Sequence, residues 1–389
     1  MARIAGWEYA DFDWGEFLRL AEHHGVLALA GRNLIDHAPD LPPEIRSALE
    51  AAYAANFRRN LWFAAELMRI TRHLAQKGLR AIPYKGPMLA QSAYGNLTLR
   101  SFSDLDLLIA PHDFAKAKPA LAEIGYQPSA ALTPAIERLC LRAGYERSFD
   151  GPGGKNLLEL QWALLPRFYA IDPQHFCFDD LWARTRLVDL GKETSPENRV
   201  PQAEEKLKTG GDCAGLIPCL SPEDSLLILC LHAAKHLWTR LIWIADIVES
   251  LNVPNLDLGL VVSRARSIGV MRTLGVSFWL AEHLLGTILP REARDVIEPD
   301  SEIPSLGKGC TARLRLCAGY DFESIAYFRQ ILRLRERSRD RWQYLWRLLS
   351  TPSQGDIDAV ALPEMLFPLY RGVRGARLLA RLVKSRPQK

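Results

Sequence analysis

The stretch Arg100-Ser-Phe-Ser-Asp104-Leu-Asp106-Leu-Leu-Ile-Ala110 combines an apolar strand pattern with two carboxylates. Side chains alternate between the two faces of an extended chain, so Asp104 and Asp106 project together while Leu105 and Leu107 project the other way. Two neighbouring anions raise each other's pKa, and a divalent metal ion between them relieves the repulsion. The alternative interpretation is an edge strand whose polar residues face the solvent.

Composition places the chain among ordinary globular proteins. It has 389 residues, of which 48% are hydrophobic and 24% charged, enough for two or three domains. The N-terminus has no apolar signal-peptide segment and no apolar run is long enough to span a bilayer, so we expect a cytoplasmic protein. The seven cysteines include no C-x-x-C pair, which favours reduced thiols over disulfides or a zinc ribbon.

The positive charge is concentrated near the C-terminus. From Arg313 onward there are sixteen Lys and Arg against seven Asp and Glu, whereas the formal charge of the whole chain is only +4. Within this tail, the basic-aromatic stretch 333–342 predicts contact with a polyanion such as RNA, an anionic membrane surface or a peptide. A solvated helix face is the alternative.

The first half of the chain changes from helical to mixed patterns near Gly78. Apolar residues at helical spacing over 14–36 and 43–77 predict an N-terminal helical hairpin. A short strand over 79–84, a break at Lys85-Gly86-Pro87 and a helix over 88–94 follow. Such a turn directs backbone N–H groups at one point, and Lys85 adds a positive charge there, so it predicts an anion site. Pro87 contributes no N–H group.

Two extended runs and a series of helices complete the pattern. The runs 145–149 and 155–164 flank a Gly-rich turn, which predicts a hairpin and places Glu159 between two leucines. The chain reads as helical from 221 onward, with one long helix over 320–349. These features predict an α+β fold in which a small mixed sheet is flanked by N-terminal and C-terminal helical regions. The predicted domains are a helical hairpin (1–77), an α/β core (78–212) and a helical domain with the basic tail (213–389).

Three short motifs, taken in order, resemble the nucleotidyltransferase superfamily with the DNA polymerase β-type fold. They are Tyr84-Lys85-Gly86, Asp104-Leu105-Asp106 and Leu158-Glu159-Leu160. The chain looks closer to an uncharacterised bacterial branch, some of whose members lie in lasso-peptide and other natural-product gene clusters. Its pattern is also matched by Glu159-x-x-Trp162 and by the stretches 232–246 and 351–363. Pro87 and Gln161 depart from it, since a small residue and a histidine are common there.

The resemblance implies a Mg²⁺-dependent nucleotidyltransferase with 78–212 as its catalytic core. It would move a nucleoside monophosphate from ATP or another NTP to an acceptor such as tRNA, a peptide or a small metabolite. Asp104 and Asp106 would bind two Mg²⁺ ions, and Glu159 would be a further metal ligand or the base. Lys85 and Gly86 would contact the triphosphate. The alternatives are a non-catalytic protein of the same fold that binds a peptide or partner enzyme, and a phosphohydrolase.

Two further groups of polar residues have more than one interpretation. Arg100, predicted on the same strand face as Asp104, pairs either with an aspartate or with a phosphate. His232 and His236 lie on one helix face but lack the Glu of H-E-x-x-H, which argues against a metalloprotease zinc site. Either this helix presents Lys235 and His236 to the nucleotide or acceptor, or its histidines form a structural network with Trp243 and Asp246.

Overall fold

The computed structural model describes residues 12–190, 216–317 and 321–384. Helices at both ends of the chain surround a five-stranded mixed sheet, which confirms the predicted α+β class. The strands of this sheet are β1 (Ala81–Pro83), β2 (Asp104–Ile109), β3 (Gln127–Pro128), β4 (Glu146–Asp150) and β5 (Leu157–Gln161).

The helices before and within the sheet region follow the predicted order. They are α1 (Trp14–His23), α2 (Leu27–His37), α3 (Pro43–Gln76), α4 (Gly86–Ser92), α5 (Phe114–Glu123), α6 (Pro134–Ala143) and α7 (Phe178–Ala183). The predicted helix over 14–36 is interrupted at Gly25, whose φ of +72° separates α1 from α2. Gly78 ends the long α3 in the left-handed conformation expected there, with φ +71°.

The five-stranded sheet has the order β1-β2-β5-β4-β3. β2 and β5 are parallel and the other pairs are antiparallel, and β4 and β5 form the predicted hairpin. One sheet face carries Leu105, Leu107, Leu158 and Leu160 into a core shared with α3 and α5. The alternate residues of β2 and β5 therefore face the other side of the sheet.

A second, two-stranded sheet was not predicted. It pairs β6 (Arg186–Asp189) with β7 (Leu216–Cys219), which lies just before the helices predicted from 221 onward. The polar, Gly- and Pro-containing pattern of 185–212 predicts a loop or peripheral strands, and β6 is such a strand, while 191–212 lie outside the described residues. Strand pairing between distant segments leaves little local signal, which explains why β7 was missed.

The C-terminal half consists of helices around a separate apolar core. They are α8 (Pro222–Lys235), α9 (Leu241–Leu251), α10 (Leu258–Ile268), α11 (Met271–Leu285), α12 (Arg291–Ile297), α13 (Glu302–Arg315), α14 (Ile325–Leu334), α15 (Ser338–Ser350), α16 (Gln354–Ala359) and α17 (Tyr370–Lys384). Short 3₁₀ turns occur at Pro111–Asp113, Pro152–Gly154, Arg167–Tyr169, Pro173–Phe176 and Glu364–Leu369.

The prediction of one helix over 320–349 is wrong, because tertiary contacts hold the chain extended between α14 and α15. The buried Arg335 guanidinium donates to the carbonyl oxygen of Tyr169. The Glu336 carboxylate accepts the backbone N–H groups of Met271 and Arg272 at 3.2 and 2.7 Å. The Glu336 carboxylate thus accepts two N–H groups of the first turn of α11. The helical propensity of 335–337 does not outweigh these contacts and the Arg335 hydrogen bond.

Several basic residues of the tail are neutralised within the fold. Arg374 is buried and lies 3.6–3.7 Å from the carboxylates of Glu323 and Asp356. Arg377 and Arg381 contact Glu323 at 2.9 and 2.7 Å. Burial opposes ionisation of Glu323, but the Ser353 hydroxyl and the three guanidinium groups hold its pKa below the usual value. This cluster accounts for part of the basic excess as structural charge.

The structure also bears on the predicted environment of the chain. Six cysteines are free thiols, and Cys213 lies outside the described residues. Among the helices described, none combines the length and apolar character that crossing a membrane requires.

Candidate active site

The polar face of the central strands brings the predicted acidic residues together. Asp106 on β2 is the register partner of Glu159 on the parallel β5. Because β4 runs antiparallel to β5, Glu146 lies opposite Gln161 and adds a further carboxylate. The solvated edge-strand alternative for β2 is wrong, since the strand is paired on both sides and Asp106 is only 3% exposed.

Lys85 is held against the aspartate pair by the turn after β1. Its Nζ lies 2.7 Å from Asp106 Oδ1, and the ammonium group is buried. Burial opposes the charged form, but the Asp106 carboxylate raises the pKa of Lys85 above its usual value, so the lysine stays charged. Gly86 adopts φ +55°, and a Cβ there would lie 3.4 Å from the Asp104 carbonyl oxygen. Glycine thus adopts the left-handed backbone conformation of this turn without strain.

Crowding shifts the titration of the acids. Burial and the neighbouring Asp106 charge raise the pKa of Asp104. Burial, followed by the charges of Asp106 and Glu146, raises the pKa of Glu159 to about 8. Such shifts are typical of carboxylates gathered for binding a cation or for proton transfer.

Gln161 connects three of these carboxylates. Its Nε2 lies 3.2 Å from an oxygen of each of Asp106, Glu146 and Glu159. The Tyr84 hydroxyl donates to Gln161 Oε1 at 2.5 Å, which directs the NH₂ group toward the acids. Gln161, one of the two residues that depart from the family pattern, therefore stabilises the acidic cluster as a neutral hydrogen-bond donor.

The acidic cluster is suited to an ion that also binds substrate oxygens. In the described part of the chain, no group of three or more His, Cys, Asp or Glu side chains is arranged to hold a metal ion by itself. The donors are carboxylate oxygens, which Mg²⁺ prefers, and Mg²⁺ commonly uses one or two carboxylates plus substrate phosphates. Lys85 already places a cationic group on Asp106. The chemistry of the donor set therefore fits Mg²⁺.

Arg100 lies beside the cluster but is engaged elsewhere. β2 begins at Asp104, so the prediction that Arg100 shares its strand face is wrong. Its Nε and Nη2 donate to the two carboxylate oxygens of Asp246 at 2.7 and 2.9 Å, and both side chains are buried. The Tyr94 hydroxyl donates to the same carboxylate at 2.7 Å. Arg100 thus ties the segment before β2 to α9.

The end of α8 forms the opposite wall. The chain turns sharply after His236, with positive φ at Leu237 and Trp238, before α9 begins. Lys235 Nζ donates to the Tyr145 hydroxyl at 2.8 Å, and burial lowers the pKa of Lys235. Burial, with the neighbouring Lys235 charge, also lowers the pKa of His236 well below its usual value.

The predicted histidine network is present in part. His236 stacks on Trp243 with ring centroids 4.8 Å apart, and His232 meets the same indole edge-on at 5.7 Å. Asp246 belongs instead to the Arg100 pair. Phe322 contacts the His236 ring at 5.2 Å and is 46% exposed, so this aromatic group has an open side.

All eight residues predicted for the site line one cavity of about 530 Å³. They are Lys85, Gly86, Arg100, Asp104, Asp106, Glu159, Lys235 and His236. The sheet, the turn after β1 and the end of α8 contribute them from segments far apart in the chain. A pocket of this size is typical for a small-molecule ligand.

Residues 10–286 match the family described as "Uncharacterised nucleotidyltransferase". The match covers well over half of the chain. The chain belongs to this nucleotidyltransferase family. No curated protein and no solved structure matches the chain in the corresponding comparisons. The matched range extends from before Lys85 to beyond His236, and it therefore includes every residue predicted for the site.

The family motifs omit several residues that line this nucleotidyltransferase cavity. Glu146, Tyr145 and Phe322 were missed, and the segment 353–355 was matched to the family pattern as part of 351–363 but was not predicted for the site. Glu146 had a detectable signal, because the predicted hairpin sets the register that places it beside Gln161. Phe322 reaches the cavity only through packing of the C-terminal helices, which has no local sequence signature.

Proposed function

We propose that this protein transfers a nucleoside monophosphate from an NTP to an acceptor in a Mg²⁺-dependent reaction. The observation that carries the proposal is the convergence of Asp104, Asp106, Glu146 and Glu159 on one cavity that also holds the charged Lys85. Membership of a nucleotidyltransferase family supports the reaction class. Carboxylates beside a cation are what phosphate transfer requires for charge neutralisation.

Asp104 and Asp106 would hold the metal ion, with Glu159 as a further ligand or as the base. Bound Mg²⁺ ions, two by analogy with metal-dependent phosphoryl transfer, would supply charge neutralisation at the attacking and leaving oxygens. Lys85, the cationic group already at this position, would contact phosphate oxygens together with the Gly86 turn. Arg100 would contribute by positioning β2, because its guanidinium is paired with Asp246.

The wall opposite the acids is suited to the nucleobase. His236 and Trp243 are stacked, and the lowered pKa of His236 keeps its ring neutral near pH 7. Together with the open side of Phe322, they offer the flat aromatic surfaces on which bases stack. Lys235, beside Tyr145, would contact the phosphates or the acceptor.

In the reaction, an acceptor oxygen or nitrogen forms a bond to the α-phosphorus as the bond to the bridging α,β-oxygen breaks. Pyrophosphate leaves, and the acceptor proton passes to a cavity carboxylate, for which Glu159 is our candidate. A phosphohydrolase would release inorganic phosphate instead. The acceptor implied by the family resemblance, whether tRNA, a peptide or a metabolite of a biosynthetic cluster, stays a prediction at this point.

One observation favours the non-catalytic alternative. The Lys85 ammonium is ion-paired with Asp106, the central predicted metal ligand. In a protein that only binds a peptide or partner enzyme, this pair would be a permanent structural feature. In the nucleotidyltransferase, it must open or be shared when the nucleotide and metal bind.

Calorimetry with α,β-methylene NTP analogues, with and without Mg²⁺, separates the two. We expect Mg²⁺-dependent binding of at least one analogue, which Asp106→Asn abolishes and the exposed Asp180→Asn control leaves unchanged. With α-labelled NTPs and cell extract, Asp104→Asn should lower label transfer by at least about 100-fold, a loss typical when transition-state charge stabilisation is removed. The proposal would be refuted if none of the analogues of the four NTPs shows Mg²⁺-dependent binding, or if Asp106→Asn binds the analogue as tightly as the wild type.

A further inference from the structure

A second cavity, distinct from the catalytic one, is lined by five arginines. It measures about 900 Å³ and lies among α6, the turn Arg167–Tyr169, α15 and the start of α17. We call it the arginine groove. The arginines that line it are Arg138, Arg142, Arg167, Arg347 and Arg371.

The charge of the groove is mostly uncompensated. Among the described residues that line it, only Glu364 is acidic, and it pairs with Arg138 at 2.6 Å. Within the described part of the chain, Arg142, Arg347 and Arg371 have no ion-pair partner. They differ in this respect from the tail arginines that Glu323 and Asp356 neutralise. Unpaired guanidinium groups gathered in one concave surface repel one another, and a bound polyanion relieves this repulsion.

A third cavity of about 560 Å³ adjoins both the groove and the catalytic cavity. It shares Tyr145, Glu146 and Phe168 with the catalytic cavity. It shares Ala143 and Pro352 with the arginine groove. The arginines and the carboxylates therefore lie on one continuous series of neighbouring cavities.

Aromatic surface accompanies the arginines. Trp346 lines the groove and is 70% exposed, and Trp342, one turn earlier on α15, is 74% exposed. Exposed indoles beside free arginines are the combination on which single-stranded nucleic acids stack their bases and place their phosphates. A membrane surface does not enter a concave groove, and the Asp and Glu side chains of an acidic peptide have no rings to stack on Trp346.

We propose that the arginine groove binds the phosphodiester backbone of a single-stranded nucleic acid whose terminal hydroxyl enters the catalytic cavity as the acceptor. The binding stands on the groove alone, whereas the acceptor role rests on the proposed function. In that role, the hydroxyl oxygen bonds to the α-phosphorus, pyrophosphate leaves, and the hydroxyl proton passes to a cavity carboxylate.

Fluorescence anisotropy with labelled rA20 and dA20 tests the binding without any catalysis. We expect the R142A/R347A/R371A variant to lose at least tenfold in affinity. In a plot of log K against log salt concentration, the slope for this variant should be shallower by about 2, because three arginines are removed and each phosphate contact to a single strand contributes about 0.7. Trp346→Ala should also weaken binding. A matched variant that removes three exposed charges elsewhere, R72A/K116A/K308A, should bind like the wild type.

A charge-conserving variant and an assay of NMP transfer separate the parts of the proposal. The R142K/R347K/R371K variant keeps the positive charge and should retain most of the affinity, which assigns the loss in the alanine variant to the missing charge. If the wild type binds the oligonucleotides through these arginines but transfers no NMP to them, the groove assignment holds and the acceptor role fails.

Other outcomes overturn the groove assignment itself. Oligonucleotide binding that is absent, or equal in the two triple-alanine variants, refutes it. Tighter binding to phosphatidylserine vesicles or to poly-glutamate than to both oligonucleotides refutes it as well. NMP transfer to a small acceptor combined with no oligonucleotide binding would leave the proposed function standing and remove this inference alone.

Discussion

The buried Arg100–Asp246 pair should be a major contributor to the stability of the active-site region. Arg100 is 5% exposed and Asp246 1%, and two hydrogen bonds of 2.7 and 2.9 Å join them. Asp246→Ala leaves the guanidinium buried without its counter-charge and also removes the acceptor of the Tyr94 hydroxyl. Breaking one partner of such a pair costs about 3–5 kcal/mol, a large part of the roughly 5–15 kcal/mol that stabilises a typical protein.

Replacing the whole polar group should recover most of that loss. In R100M/D246L/Y94F the three substituted positions leave no buried charge or hydroxyl without its partner, and buried ion pairs replaced by apolar residues are often neutral in stability. The exposed pair Arg80–Asp179 provides the control, because its side chains are 40% and 60% exposed. Asp179→Ala should therefore cost no more than about 1 kcal/mol.

Urea denaturation monitored by tryptophan fluorescence gives the free energies, and calorimetry with the NTP analogues gives nucleotide affinity. If Asp246→Ala and Asp179→Ala lose equally little, the assignment of a stabilising buried pair is refuted. If the triple variant is stable but no longer binds nucleotide, Arg100 contributes to nucleotide binding, as expected for the phosphate contact that was one of the two alternatives from the sequence. Retained nucleotide binding shows that Arg100 acts by positioning β2.

Three other changes test separate parts of the structure. Gln161→Glu replaces the shared hydrogen-bond donor by another acid, so we expect the free energy of unfolding at pH 8, measured by urea denaturation, to fall by about 1–3 kcal/mol. This loss should shrink as the pH falls and the acids protonate, and equal losses at pH 8 and pH 5 would contradict the prediction. In Gly307→Ala the added Cβ would overlap the buried Trp279 ring, so the variant should lose about 1–3 kcal/mol of stability. In Gly309→Ala, on the same helix, the Cβ meets nothing within 4 Å, so this variant should gain roughly 0.5–1 kcal/mol. Equal melting temperatures of the two variants would refute the packing argument. The lowered pKa of Glu323 stabilises the folded state fully above the usual carboxyl pKa of 4.5, and this stabilisation is lost as the pH falls through the lower pKa of the folded state. In Glu323→Gln, the free energy of unfolding should therefore fall less steeply between pH 5 and 3 than in the wild type. An unchanged slope would count against the arginine cluster.

Much of the candidate site could be predicted because it depends on local geometry. The alternation of β2 places Asp104 and Asp106 on one face whatever surrounds the strand. The hairpin between β4 and β5 likewise follows from its turn residues and sets the faces of Glu159 and Glu146. In the same way, the order of helices follows from apolar spacing, so the fold class was predicted correctly.

Other features depend on contacts between distant segments. From the sequence, Arg100 was expected to pair either with an aspartate or with a phosphate, and the packing of α9 brings Asp246, 146 residues away, to its guanidinium. The long predicted helix after 320 is broken at 335–337 because Tyr169, Met271 and Arg272 offer better hydrogen-bond partners. Local propensity contributes tenths of a kcal/mol per residue, and buried charge-assisted hydrogen bonds contribute more.

The sequence by itself determined the two aspartates on one strand face, the Lys85-Gly86 turn before them and the excess of basic residues in the tail. Only the tertiary structure decided which charges remain free. It buries Arg374 among carboxylates while leaving Arg142, Arg347 and Arg371 around a groove. Whether a charge is neutralised depends on which groups approach within a few ångströms, and that depends on the packing of helices far apart in the chain.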